Sequence, residues 1–429
     1  MFDDLESRGI QSQGERSPLK LGVNGLGRIG KLSVWHHAAR GYFSELVINI
    51  GREAGGSLED VASYVERDST YGHLGQYLYG HKAGRVIENS NEEHGTFEVN
   101  GTPVTILRKD RNPKDLPWRS LGVHLVVDAT GKFLDPTAPP DQKNGSMQGH
   151  LQAGAKKVIV SAPFKIMDKA LSMPKDALTL VIGINDDHYH PPQHRMISGA
   201  SCTTTCLAFM VKPLLDYLGA DKILSASMVT VHAATGSQEV LDRLPDPKAK
   251  DLRKNRSILN NIILTSTGAA RALALVIPEM KRIGFIAESV RIPTSTGSLI
   301  VLVMNIQDES LVHPINRETI NQVYRQASET YMRKYLLYTD RQNVSSDIIG
   351  TPRAAAVIEG QETHTRTAHI CLDLSKIPGL PPGTLKKEGP CVAEIPVTQA
   401  VIYGWYDNEL GSYTNMLGDL TVKIAEGLQ

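Results

Sequence analysis

A short apolar run that ends in a glycine-rich turn and passes straight into a helical pattern restricts this chain more than any other feature. Leu19 to Asn24 is followed by Gly25-Leu26-Gly27-Arg28-Ile29-Gly30, then by a helical stretch to about Arg40 and a second apolar run from Leu46 to Ile50. That succession reads as one βαβ unit. In such a unit Gly25 allows the tight turn, Gly27 lets the backbone approach a pyrophosphate and Gly30 permits close helix packing. The helix N-terminus attracts the anion. The whole turn, with Gly25, Gly27, Arg28, Ile29 and Gly30, is therefore the candidate cofactor-binding segment.

Further short apolar runs, His124 to Thr130 and Lys157 to Pro163, flank a helical stretch, GSMQGHLQAGA. This alternation predicts a parallel sheet with helices on both faces. After about Ile197 the texture changes to longer β-rich runs (ILSASMVTVHA, ESVRIPTSTGSLIVLVMNI, AVIYGWYDN) interleaved with helical ones such as PINRETINQVYRQASETYMRKYLLY. The fold class expected is α/β: a Rossmann-type dinucleotide-binding domain followed by an α+β catalytic domain on a mixed sheet. The boundaries are an N-terminal extension over 1–18, a dinucleotide domain over 19–200, and a catalytic domain over 201–415. A C-terminal helix over 416–429 packs back on the first domain. Residues 354–399, rich in Pro and Gly, read as a surface excursion or subunit contact.

Charge narrows the partners. Lysine plus arginine (46) equals aspartate plus glutamate (46), so no global field favours nucleic acid or membrane. Four cysteines, Cys202, Cys206, Cys371 and Cys391, are too few and too uneven for a secreted disulfide framework, which points to a reducing compartment. The N-terminal stretch lacks the apolar core of a targeting signal, and no apolar run approaches the ~20 residues needed to cross a bilayer; a cytoplasmic protein is expected. His364, His369, Cys371 and Cys391 match no compact zinc spacing, so no metal is assigned.

The second apolar run ends Asn49-Ile50-Gly51-Arg52-Glu53. An acid at that strand end accepts hydrogen bonds from the adenosine ribose and repels a 2′-phosphate. Neutral residues followed by Arg52 remove the repulsion and open NADP use, while Glu53 remains an alternative partner for the ribose.

In ISGASCTTTCLAFMVKPLL, Cys202 precedes a helical pattern within a cluster of hydroxyl residues. A cysteine at a helix N-terminus is a candidate for a lowered thiol pKa. Alone it would more often be a small buried hydrophobe. His232, in the β-rich run SMVTVHAAT, supplies an imidazole able to activate a thiol and move protons.

As a set these residues resemble the phosphorylating glyceraldehyde-3-phosphate dehydrogenases. The matching pieces are NGLGRIG, AGAKKVIVSAP, ASCTTTC, TVHAAT, TSTGAARAL, VRIPTSTGS and WYDNELG, in the family's order over residues 20 to 420. The resemblance implies that Cys202 attacks the aldehyde and that His232 takes the proton and stabilises the oxyanion. Hydride transfer to the nicotinamide then leaves a thioester, which inorganic phosphate cleaves. It implies that Thr235, Arg256 and Arg291 hold the C3 phosphate of glyceraldehyde 3-phosphate. Ser201, Thr203, Thr267 and Gly268 would hold the attacking phosphate, Ser201 and Thr203 being also natural helix caps. Asn408 would fix the nicotinamide, and Thr130, Gly131 and Ser161 would join Arg52 around the cofactor. A homotetramer is implied, with the loop after His232 reaching towards a neighbouring cofactor site.

The chain departs from the commonest family pattern in places. Thr205 stands where asparagine is usual, Ala234 where an aromatic is frequent, and WYDNELGSYTN carries one residue more than usual, shifting Tyr413. Leu244-Pro245, found in many NAD-using relatives, opposes the hint at Gly51 and Arg52, so the cofactor reading tilts to NAD with NADP close behind. Two other readings share these motifs: oxidation of erythrose 4-phosphate with water attacking the thioester, and a non-catalytic binder on an inherited fold. Retention of Cys202, His232 and both arginines weighs against the second.

Overall fold

The computed structural model describes residues 16–247, 249–309, 311–379 and 392–429. Two sheets organise them. The first has nine strands: β1 (Ser17–Asn24), β2 (Phe43–Asn49), β5 (Ile87–Asn91), β6 (Thr96–Val99), β7 (Thr102–Leu107), β8 (Val123–Asp128), β9 (Lys157–Val160), β10 (Ala177–Thr179) and β11 (Met196–Ser198). Their order is β10-β11-β9-β8-β1-β2-β7-β6-β5, and β3 (Arg67–Asp68) pairs with β4 (Gly72–His73) apart from them. From β10 to β7 every pairing is parallel, and only the β5–β6–β7 edge runs antiparallel. Strands covered on both faces need continuous apolar runs, which is why β8 and β9 are VHLVVD and KVIV, almost wholly buried.

The helix after the glycine turn, α1 (Arg28–Arg40), is polar in composition, yet every residue from Gly30 to Arg40 is buried. Three of its polar side chains are paired inside the protein: Lys31 Nζ lies 2.8 Å from Asp68, His36 Nε2 2.7 Å from the Leu410 carbonyl, and Arg40 Nη2 2.6 Å from Asp419. The last contact reaches the C-terminal helix, α4 (Tyr413–Glu426), which lies against α1.

The second sheet is mixed. It comprises β12 (Ile223–Ala233), β13 (Ile263–Thr265), β14 (Gly284–Ile292), β15 (Ser298–Gln307), β16 (Leu336–Thr339), β17 (Ala356–Glu359), β18 (His364–Asp373) and β19 (Val392–Tyr406). The order is β13-β14-β12-β15-β19-β17-β16, with β18 paired along β19. Against it lies α2 (Cys202–Leu218), whose apolar side chains are buried. Its approach is close enough that a Cβ at Gly404 of β19 would sit 2.4 Å from Met210 Sδ, so any larger residue there would have to displace the buried Met210 side chain. Between α2 and β14 runs α3 (Ala269–Val276). Among the described residues no helix is long and apolar enough to cross a membrane.

Three expectations need correction. Ser17 and Pro18 belong to β1, because Ser17 N donates to Tyr42 O at 2.9 Å; of the predicted extension, residues 1–15 lie outside the described residues. The helical reading of PINRETINQVYRQASETYMRKYLLY holds only for Arg317–Glu329; Leu336–Thr339 is a strand, captured by parallel pairing with β17. Nor is 354–399 a surface excursion throughout. Ala354 to Ile358 is buried, because an unbroken AAAVI run is a core strand signal that the flanking Pro and Gly obscured, while β18 is the exposed part. Residues 380–391, with Cys391, lie outside the described residues.

One carboxylate joins the two sheets. Asp419 meets Arg40, Lys334 at 3.2 Å and Arg353 at 3.7 Å, and accepts from Tyr335 Oη at 2.8 Å. Burial works to raise this carboxyl, but Arg40, Lys334 and Arg353 hold it far below the usual carboxylate range. Because its folded pKa lies below the unfolded one, the stabilisation is complete above about pH 4 and drains away in stronger acid. Asp419→Asn leaves a buried arginine without its counter-ion and should cost about 3 kcal/mol in urea unfolding at neutral pH. A loss within experimental error would show that the pairing holds nothing together.

Candidate active site

Strand register assembles the candidate reacting groups. β12 and β14 run parallel with His232 opposite Arg291, so two residues 59 positions apart leave the sheet side by side. β15 and β19 pair antiparallel with Ser298 opposite Tyr406, which delivers the following Asp407 and Asn408 to the same end. Cys202 arrives on the first turn of α2. Ser201 caps that helix, its Oγ accepting from Thr204 N at 3.2 Å, and Ala200 turns the chain into it at φ +54°.

The result is a compact constellation. Cys202 Sγ lies 3.6 Å from His232 Nε2, and Asn408 Nδ2 lies 4.0 Å from the sulfur and 3.3 Å from the same ring nitrogen. Asn408 is fixed from behind, its Oδ1 accepting from Ser298 Oγ at 2.8 Å and Thr296 Oγ1 at 3.3 Å. Arg291 contacts His232 Nδ1 and donates to the Ala233 carbonyl at 3.1 Å. Beneath the imidazole the Tyr406 hydroxyl bridges Thr203 and Thr230 at 3.0 and 2.8 Å, and its ring stands edge-on to that of His232.

The electrostatics differ from the expectation of a lowered thiol pKa. Burial pushes the Cys202 thiol up, and Arg291, Thr203 and Asn408 only partly oppose it. Burial, then the Arg291 charge, lowers His232 to about 3, against a weaker pull from the Ala233 carbonyl. The free site therefore holds a neutral thiol beside a neutral imidazole. The helix end does reach Cys202, but desolvation of a charged sulfur outweighs it.

Other expected residues lie outside this bonded group. Thr235 is exposed and donates to Gln238 at 2.9 Å, and Arg256, also exposed, pairs with Asp242 at 3.1 Å. Thr267 Oγ1 accepts from Ala269 N at the start of α3, with Gly268 between them.

At the dinucleotide turn Gly25 adopts φ +95°, and a Cβ at Gly30 would stand 1.8 Å from the Gly25 carbonyl, so both positions require glycine. Around Gly27 there is open space: no protein atom demands the missing side chain, which leaves the backbone free for an approaching anion. Cavities of about 490 and 470 Å³ flank the turn and share Ile50 and Arg52. These features fit a dinucleotide. The side chain of Arg28 is engaged elsewhere, with Glu409 and Asp68, and Ile29 packs on the core, so only their backbone remains for a cofactor.

Sequence reasoning missed the support beneath the turn. Asp128, at the end of β8, receives Thr130 Oγ1 at 2.6 Å, Asn24 Nδ2 at 2.7 Å and His150 Nε2 at 3.0 Å. Indole N–H only donates, so Trp118 Nε1 at 2.9 Å makes His150 Nδ1 the acceptor and leaves the ring proton on Nε2, facing Asp128. Thr130 is held by this carboxylate, Gly131 follows at φ +66°, and Ser161 N donates to Asp128 O. A lone acid closing an apolar strand was the available signal. Tyr413 donates to the Ala200 carbonyl at 3.3 Å, directly behind the segment that carries Cys202.

If Arg291 depresses His232 through its charge, Arg291→Gln should move the His232 midpoint upward by on the order of one pH unit in an NMR titration of the ring protons. An unchanged midpoint would assign the whole depression to burial.

Comparison with known proteins agrees with this architecture. Residues 19–136 match the family model described as glyceraldehyde 3-phosphate dehydrogenase, NAD binding domain, and residues 201–372 match the corresponding C-terminal domain. A Streptomyces coelicolor protein named glyceraldehyde-3-phosphate dehydrogenase is 36% identical over 413 residues, covering 96% of this chain and 99% of its own. A Geobacillus stearothermophilus protein of the same name is 34% identical over 410 residues, covering 95% and 98%. With a dinucleotide-binding half and a catalytic half both matched, and relatives aligned along almost its whole length, the chain belongs to the glyceraldehyde-3-phosphate dehydrogenase family of NAD(P)-binding oxidoreductases.

Proposed function

We propose that the chain oxidises D-glyceraldehyde 3-phosphate to 1,3-bisphosphoglycerate through a thioester on Cys202. The observation that carries this reading is the 3.6 Å approach of Cys202 Sγ to His232 Nε2, with Asn408 and Arg291 on the same ring.

Arg291 can only donate, so its contact with Nδ1 must be given up as the guanidinium turns to a substrate phosphate; Nδ1–H then donates to the Ala233 carbonyl, 2.8 Å away, and Nε2 presents its lone pair to the thiol. As Sγ bonds to the aldehyde carbon, the thiol proton passes to Nε2, and the carbonyl oxygen takes the electron pair of the broken π bond. The His232 imidazolium and the Cys202 amide then stabilise that oxyanion. When bound, the nicotinamide supplies the two-electron acceptor that takes hydride from the same carbon. Loss of the hydride regenerates the carbonyl as a thioester, and His232 releases its proton to solvent. Phosphate adds to the thioester carbon and expels the Cys202 thiolate, giving the acyl phosphate.

Arg291 links binding to basicity. The charge that depresses His232 in the free site is offset once a substrate phosphate rests on the guanidinium, so the imidazole becomes a stronger base when there is a proton to take. Thr235 and Arg256, on the loop after β12, are proposed to complete the C3-phosphate site, Arg256 giving up Asp242 to do so. Ser201, Thr203, Thr267 and Gly268 are proposed for the attacking phosphate. Hydroxyls and amides orient tetrahedral anions, and arginine binds them as a fork.

A homotetramer in the cytoplasm is part of the same reading. Its support is the outward face of the second sheet, where register puts Val229, Val301, Val303, Val401 and Tyr403 side by side.

Cys202→Ala should lower kcat with glyceraldehyde 3-phosphate by at least about a thousandfold, and product formation by the unaltered protein should require phosphate or arsenate. Steady-state reduction of the dinucleotide checks both. Activity retained by the alanine variant would remove the assigned nucleophile.

A further inference from the structure

We propose that the cavity beside the glycine turn is built to take a 2′-phosphorylated adenosine, so that NADP(H) is the preferred dinucleotide. This rests on the reading that a dinucleotide binds at that turn and says which one.

The cavity of about 470 Å³ lies at the C-terminal ends of β1, β2 and β8, where the strand order reverses and ligands of open parallel sheets bind. Among the described residues that line it are Arg52, Arg111, Lys132 and Lys143, and no carboxylate. An ordinary dinucleotide has two charges, on its pyrophosphate, for the helix N-terminus to meet. Four further cations around the adenosine end match a third phosphate group.

No acid stands at the end of β2 where a ribose-binding carboxylate would be. Directly after β2 comes the apolar Ile50, which lines both cavities, and then Gly51 at φ +67°, where a Cβ would lie 3.2 Å from both Arg111 Cγ and the Asp110 carbonyl, so that a side chain there is strained and crowded. Asn49, the last residue of β2, is buried and spends its amide on structure: Nδ2 donates to Asn24 Oδ1 at 2.8 Å and Asp110 O at 3.0 Å, and Oδ1 accepts from Gly51 N at 3.2 Å. Arg111 Nε donates to the Gly51 carbonyl at 2.9 Å, which binds one cation to the turn itself. Arg52 comes next in the chain and lines both cavities.

The nearby acids do not restore the repulsion. Glu53 is largely exposed, 3.7 Å from Arg108, and lines neither cavity. Asp60 lines only the second, where its Oδ2 accepts from Gly56 N at 2.7 Å and Ser57 N at 3.1 Å as part of a helix cap. Leu244, which tilted the sequence towards NAD, is 94% exposed and reaches neither cavity in its own chain.

Calorimetric titration of the purified full chain with adenosine 2′,5′-bisphosphate, adenosine 3′,5′-bisphosphate and 5′-AMP at one ionic strength tests this. The 2′,5′-bisphosphate should bind at least about tenfold tighter than 5′-AMP, and clearly tighter than its 3′,5′ isomer, whose charge is the same. Arg52→Gln, with folding checked by thermal melting, should cut that advantage by roughly tenfold. Equal binding of the 2′,5′-bisphosphate and 5′-AMP, or of the two bisphosphates, overturns the proposal. Turnover with NAD in that case leaves the oxidoreductase reading standing. Selective 2′,5′-bisphosphate binding without an acyl-enzyme from either dinucleotide would uphold the site and remove the reaction.

Discussion

Parallel register between β12 and β14 decides where chemistry can occur in this molecule. Nine residues of each strand face each other in unbroken succession, ending with His232 opposite Arg291 and Ala233 opposite Ile292. A slip of one residue would turn the imidazole to the other face of the sheet and separate it from the guanidinium. The register is held by burial of alternate residues: Ala226, Met228, Thr230 and His232 point inward on β12, as Ile300, Leu302 and Met304 do on neighbouring β15. The helix carrying Cys202 is then located by contact with that inner face, at a distance that Gly404 makes possible. Each reacting group is thus set by backbone geometry, and the side chains have little left to search.

Such a site has to be buried to be rigid, and burial sets its charge state. Cys202 is raised and His232 lowered for the same reason: both would have to be charged away from water to form an ion pair. Arg291 acts on the two oppositely, easing the thiolate and opposing the imidazolium.

Features written locally in the chain were legible. The glycine turn, the helix to Arg40, the hydroxyl cluster at Cys202 and the imidazole of the His232 strand all depend on residues within a few positions of one another. What escaped reading depends on distant partners. Nothing near Lys31, His36 or Arg40 announces that a polar helix will be buried, since their partners are Asp68, Leu410 and Asp419. Asp128 looked like the end of a strand, and its role came into view only with Trp118 and His150 behind it. The core strand Ala356–Glu359 was hidden by composition averaged over a long window, because the five apolar residues from Ala354 to Ile358 carry little weight among prolines and glycines. The thiol expectation failed differently: the helix end was placed correctly, and the cost of burying charge outweighed it.

The cofactor turn and the thiol belong to different sheets, yet one ion pair joins them. Arg28, the first residue of α1, donates through Nε to both oxygens of Glu409, at 3.1 and 3.0 Å, and is held from the other side by Asp68. Glu409 follows Asn408, whose amide touches both Cys202 and His232. The helix end that would receive the pyrophosphate is therefore two residues of backbone and one ion pair away from the reacting sulfur. Asp407 stiffens the connection, accepting from Tyr71 Oη at 2.6 Å, from Glu409 N at 2.9 Å and from Gly350 N at 2.8 Å. The proposed transfer between a bound ring and a carbon on Cys202 needs their separation fixed to a fraction of an ångström. A chain that bonds residue 28 to residue 409 fixes it through charge and backbone.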